Sequence, residues 1–141
     1  EFKRMFQREL LPIPDVNRRI GLELNGLTFP YPTPPDSHPM AGSRCPDLNL
    51  MTQSGDLRIG EMLRESQFVL LDATGTGTYT NNALDGLPVR AHTGHLVLAP
   101  PELDGVKSLL VRPDGYIAWA STANPSREDA QLAVKRCLSG R

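Results

Sequence analysis

Residues 30–40, PYPTPPDSHPM, hold five prolines in eleven positions. Each proline removes a backbone donor and fixes φ, so neither a helix nor an inner strand can run through this stretch. A domain boundary is therefore placed here, with an extended, stiff connector between what lies before and what lies after. The organisation expected is a helical segment over 1–29, a proline-rich linker over 30–40, and a domain over 41–141.

In the first segment Phe2, Met5, Phe6 and Leu10 fall at helical spacing on one stripe. Pro12 and Pro14 break that helix, Asp15 suits an N-cap, and Val16, Ile20, Leu24 and Leu27 make a second stripe. Two short helices bury little alone, so they are expected to pack on something further, inside this chain or outside it. The sequence starts at Glu1 without a methionine, which leads us to expect a longer parent.

After residue 41 the texture alternates between strand and helix. DLNLMT (47–52) reads as a strand, LRIGEMLRES (57–66) as a short helix with Ile59, Met62 and Leu63 inward, and QFVLLDA (67–73) as a strand buried on both faces. TGTGTYTNNALDG (74–86) reads as a polar loop with at most a helical turn near its end, LPVRAH (87–92) as another strand; 96–105 is ambiguous. Ser108–Arg112 and Tyr116–Ala120 form a hairpin around Pro113-Asp114-Gly115. Proline suits the first corner and glycine the left-handed position that closes a bulged turn. Alternation then places Ile117 and Trp119 on one face, Tyr116 and Ala118 on the other. A last helix is capped by Asn124 or Ser126, with Ser126 and Asp129 spaced like a capping box; Ala130, Ala133, Val134, Cys137 and Leu138 form its buried stripe. The fold class expected is α/β: a thioredoxin-like domain, with a mixed central sheet, a C-terminal β-hairpin and helix, preceded by a short helical segment.

Lys plus Arg number 15 against 16 Asp plus Glu, with no basic stripe, which argues against nucleic acid and membrane surfaces as partners. No apolar run is long enough to span a bilayer, and the charged N-terminus is unlike a secretory signal; a cytoplasmic location is expected. Cys45 and Cys137 lie in no C-x-x-C or metal spacing and read as free thiols, with a structural disulfide as the alternative.

Thioredoxin chemistry needs a thiolate at a helix N-terminus after the buried strand, and that position, TGTGTYT, holds Thr and Gly. Gly75-x-Gly77 lacks the third glycine and the Lys-Ser/Thr of a phosphate loop. His92 and His95 are near enough to share a metal, but no third ligand is evident, and His38 sits in the proline linker. Asp72 ends the buried strand, where a carboxylate caps the following turn; no partner base or nucleophile can be named for it. Trp119 reads as the anchor of the hairpin, and Arg112 as a partner of Asp114 or of a neighbouring element, with domain docking as its functional alternative. No catalytic, cofactor-binding or metal residue is assigned.

Three stretches in order carry a family resemblance. They are Gly42, Arg44, Pro46 and Asp47 in GSRCPDLNL; QFVLLDATG; and Arg112, Pro113, Asp114, Gly115, Ala118 and Trp119 in LLVRPDGYIAWAS. Together they resemble the C-terminal domain of FAD-dependent aromatic hydroxylases, the flavoprotein monooxygenases related to phenol hydroxylase and to the hydroxylases of aromatic polyketide biosynthesis. IPDVNRRIGLELNGLTFPYP (13–32) resembles the closing helices of that family's middle, substrate-binding domain. The resemblance implies a parent that binds FAD in an N-terminal domain and uses NAD(P)H and oxygen. It implies for this chain a non-catalytic, structural or subunit-contact role, no bound cofactor, and the FAD-binding and middle domains as partners, with a homodimer as an option. The alternative is a free-standing thioredoxin-like binding or scaffold module without redox activity.

Overall fold

The computed structural model describes residues 1–10, 12–24, 30–79, 84 and 86–140, with the side chains of 21–24 also outside the description. It divides into two compact units, Glu1–Pro30 and Tyr31–Arg141.

In the first unit α1 (Phe2–Met5) continues into a wider π-type turn, Phe6–Leu10, and α2 spans Pro14–Leu24. Pro14 opens α2, where a missing N–H costs nothing. Asp15 therefore lies in the first turn of α2 instead of capping it, a correction to the expectation above. Leu27 of the second stripe lies outside the described residues. Phe2 is 72% exposed, and Met5 and Ile13 are exposed as well.

The second unit carries two sheets. One has the order β2-β1-β5, built from β1 (Asn49–Thr52), β2 (Gly55–Arg58) and β5 (His95–Val97), all antiparallel. The other has the order β4-β3-β6-β7, built from β3 (Phe68–Asp72), β4 (Val89–Thr93), β6 (Ser108–Val111) and β7 (Ile117–Ser121). Strands β3 and β4 are parallel, and β6 runs antiparallel to both β3 and β7. One parallel pair beside an antiparallel hairpin, with a helix after it, is the expected thioredoxin-like mixed sheet.

Every residue of β3 and β6 is buried, which is why their sequences are apolar without alternation but for Asp72 and Ser108 at one end of the pair. One face packs Val69, Leu71, Leu109, Val111 and Ile117 against Leu48, Leu50, Ile59 and Met62. The other packs Phe68, Leu70 and Leu110 against Ala130, Ala133 and Val134 of α4 (Arg127–Leu138). Each fully buried leucine removes enough apolar area to stabilise the fold by about 1.5–3 kcal/mol. Ser126 caps α4 by accepting from the Asp129 N–H. Leu138, expected inside, is half exposed as the last residue of that helix.

Two further expectations are corrected. The segment 57–66 is not one helix: Leu57 and Arg58 end β2, and only Ile59–Met62 (α3) and a 3₁₀ turn, Leu63–Glu65, are helical. Its amphipathic pattern suits either state, and pairing of Leu57 with Leu50 decides it. Ile117 and Trp119 also do not share a face. A register shift at Leu110/Val111 pairs Val111 with Ile117 but Leu110 with Trp119. The extra residue, Ala118, turns Trp119 to the α4 side while Ile117 stays on the other. The expected helical turn late in 74–86 falls largely on residues outside the description.

Candidate functional site

The parallel strands β3 and β4 end side by side at Asp72 and Thr93, the end of an α/β sheet where sites usually form. Asp72 alternates with Leu70 onto the α4 face and is wholly buried. A buried carboxylate needs donors, and the next residues supply them. Its Oδ1 accepts from the Thr74 N–H at 2.9 Å and the Thr74 hydroxyl at 2.6 Å. Its Oδ2 accepts from the Thr76 hydroxyl at 3.1 Å and the Thr78 N–H at 3.0 Å. The hydroxyls of Thr76 and its two threonine neighbours also bond along the row, each at 2.9 Å.

The T-G-T-G-T spacing makes this possible. Gly75 and Gly77 take φ of +74° and +73°, and these reversals bring each successive threonine back to the same carboxylate. Gly75 also lies under the His95 imidazole, where a Cβ would come within 2.8 Å of Nε2. Burial pushes the Asp72 carboxyl up, but the donors from Thr74, Thr78 and Thr76 outweigh it and hold it below its ordinary value.

The loop is fastened to α4. The Ser126 N–H donates to the Tyr79 hydroxyl at 3.2 Å, and that hydroxyl shares a hydrogen bond with Ser108 Oγ at 2.7 Å. Burial, more than any other cause, raises the Tyr79 phenol above its usual range. Arg127 Nε donates to the Thr78 carbonyl at 3.2 Å. Beside this loop lies an open cleft of about 760 Å³ lined by Gly75, Thr76, Gly77, Thr93, Gly94, His95 and residues 51–54. A second cleft of about 580 Å³ lies by the hairpin, among Tyr31, Phe68, Arg112, Ala118, Arg136 and Cys137.

Neither sulfur lines the first cleft. Cys45 packs against the inter-sheet core, and burial, with Asp47 adding to it, pushes its thiol up to about 12. Cys137 sits half-buried on α4; burial raises it too, against a smaller opposing pull from Arg112. Neither is an activated thiolate.

The histidines do not converge. His38 Nδ1 accepts from the Met40 N–H at 3.1 Å, and His95 covers Gly75. Among the described residues no three His, Cys, Asp or Glu side chains group as a metal site. His92 Nε2 is buried without a partner among the described residues. Burial first, then the Arg90 charge, holds the imidazole below its ordinary value, with Glu65 opposing. An unfolded His92 takes up a proton as pH falls below about 6.5, whereas the folded one resists it, so the unfolded state binds more protons and stability is lost. Urea midpoints are expected to fall between about pH 7.5 and pH 5.5, with a shallower fall in His92→Gln. Equal slopes in the two proteins would remove His92 as the cause.

Arg112 lies at the hairpin turn and pairs with Asp114 at 2.9 Å. Trp119 is half-buried against the α4 layer. Sequence reasoning placed Asp72 as a cap but missed the threonine row; the signal was the Thr at every second position after a strand-ending Asp. It also missed Tyr31, whose ring lies under Arg112.

The fold and the thiol-free, hydroxyl-lined corner define a thioredoxin-like domain without the thiolate of its namesake. The family described as aromatic-ring hydroxylase, C-terminal, matches residues 38–140, and the chain belongs to it. It is 34% identical over 132 residues to a 12-dehydrotetracycline 5-monooxygenase/anhydrotetracycline 6-monooxygenase of Streptomyces rimosus, covering 90% of this chain and 25% of that protein. The solved structure of BexE, from a study of oxidation during BE-7585A biosynthesis, superposes with a TM-score of 0.74 at 30% identity, over 94% of this chain and 27% of that one. A solved aklavinone-11 hydroxylase, in a ternary complex with FAD and aklavinone, shares the fold at 22% identity and a TM-score of 0.51, over 70% of this chain and 21% of its own. The chain thus spans about a quarter of the length of the relatives it matches. Among the described residues no helix is long and apolar enough to cross a membrane.

Proposed function

We propose that this chain is the C-terminal part of an FAD- and NAD(P)H-dependent aromatic hydroxylase, and that its thioredoxin-like unit is a non-catalytic, structural element of that enzyme. Residues 1–29 would be the helical tail of the middle domain, 30–40 the connector, and the FAD-binding and middle domains the partners. Exposed Phe2, Met5 and Ile13 suit helices covered by a larger body.

The observation that carries this reading is the Asp72–threonine cage. In the thioredoxin-like layout this corner would hold the reactive group, and here the carboxylate's lone pairs are taken up by four donors. The residues do not fit a flavin nucleotide either. The glycine-rich loop after β3 is wrapped around a carboxylate, whose charge repels a pyrophosphate, and among the described residues no glycine-rich strand-to-helix turn is shaped to receive one. Flavin chemistry is therefore assigned to the other domains.

The test is direct. The 141-residue protein, titrated with FAD and followed by flavin fluorescence, is expected to show no saturable binding. Insulin disulfide reduction is expected at background, unchanged by replacing Cys45 and Cys137 with serine. Saturable flavin binding, or reduction that disappears with either thiol, would overturn the assignment.

A further inference from the structure

We propose that Tyr31, Arg112 and Asp114 form a latch that holds the proline-rich segment as a strap over the open edge of β7, a device that goes beyond the role proposed above. Strand β7 is the outer strand of its sheet, and an uncovered edge offers unpaired N–H and C=O groups to any other strand. Residues 42–45 take up that edge. The Gly42 N–H donates to the Ile117 carbonyl at 2.7 Å, the Ile117 N–H to the Ser43 carbonyl at 2.8 Å, and the Cys45 N–H to the Gly115 carbonyl at 2.8 Å. Arg44 and Tyr116 form an antiparallel bridge. The strap then doubles back, with the Tyr31 N–H on the Gly42 carbonyl at 2.7 Å.

That reversal depends on Gly42, whose φ is +84° and where a Cβ would stand 2.3 Å from the Tyr31 carbonyl oxygen. Few backbone bonds hold the strap, because prolines at 32, 34, 35 and 39 have no N–H to give. Side chains complete the closure. The Arg112 guanidinium lies 4.3 Å from the centre of the Tyr31 ring, and that ring meets Tyr116 edge-on at 4.8 Å. Asp114 fixes the arginine through its 2.9 Å pair, reaches the Tyr31 hydroxyl at 3.5 Å, and is itself held by the Tyr116 N–H at 3.2 Å. The R-P-D-G stretch thus makes the turn and also closes the strap onto it.

A cation over an aromatic ring, an edge-on aromatic pair and a half-exposed ion pair are each modest; removing the Tyr31 ring loses the first two, removing Arg112 loses the first and the third, and either loss corresponds to about a ten-fold change in strap opening. Amide hydrogen exchange on the native 141-residue protein reads this directly. In Tyr31→Ala and in Arg112→Met, exchange at Gly42, Cys45 and Ile117 is expected to be about ten-fold faster, with Leu70 and Leu110 unchanged. Tyr31→Phe, which keeps the ring, is expected to exchange as the parent does. Thermolysin cleavage between residues 31 and 42 should speed up in the first two variants only. Unchanged exchange at the strap amides in both variants would overturn the latch. So would strap amides that accelerate by the same factor as Leu70, since that reports general loosening of the fold.

Discussion

Asp72→Ala is expected to lower stability by about 4 kcal/mol and the melting temperature by about 15 °C. The carboxylate is the common acceptor of two backbone N–H groups and two hydroxyls at a fully buried position. Alanine leaves the Thr74 and Thr78 N–H groups inside the loop without an acceptor, and each such orphan costs about 1–3 kcal/mol. Asp72→Asn should cost less, about 2 kcal/mol, because one carbonyl oxygen still serves one half of the cage. Its NH₂ then faces a donor on the other half. The same cage gives an acid signature. The folded carboxyl titrates below the ordinary value of 3.8, so its stabilisation is present above that value and lost as pH falls through the folded pKa. Urea denaturation at decreasing pH should show this extra loss in the parent and not in Asp72→Asn. A melting temperature for Asp72→Ala within a degree or two of the parent would mean that the cage carries no stability.

Gly94→Ala is expected to cost about 3 kcal/mol, or about 10 °C in melting temperature. Gly94 is the single residue between β4 and β5, where the chain leaves one sheet and joins the other. A Cβ there would stand 2.3 Å from the Met51 carbonyl oxygen and 3.0 Å from Leu50 Cγ. Met51 cannot give way, since it is paired with Asp56 on one side and His95 on the other. Nor can Gly94 retreat freely, because its N–H bonds the Asp72 carbonyl at 3.0 Å. Gly60, in α3, has open space at its Cβ and serves as the comparator. Gly60→Ala should be neutral or stabilising by up to about 1 kcal/mol. Calorimetry of the two variants side by side checks the contrast, and equal melting temperatures would refute the steric account.

The sequence announces the elements whose signals are local. The run of β3, the P-D-G turn and the Ser126 cap each depend on a few neighbouring residues, and each stands where it was expected. What stayed hidden depends on contacts distant in the chain. Strand β2 reads as the start of a helix until Leu57 meets Leu50 across the sheet. The bulge that turns Trp119 away from Ile117 leaves no mark in an otherwise regular alternation. At the candidate site Asp72 was legible as a cap because its partners lie within six residues. The tie from Tyr79 to Ser108 and Ser126 joins residues up to 47 positions apart, and no short window contains it.

The strap also sets an order of events during synthesis. Tyr31 lies 83 residues ahead of its partner Asp114, so the strap leaves the ribosome roughly ten seconds before the hairpin it will cover. For that interval it has no edge to sit on, and its prolines keep it extended and short of donors, poorly suited to pairing with a wrong strand. The later-made hairpin thus meets a cover that is already waiting, and the newly formed β-edge need never be presented bare to a neighbouring nascent chain.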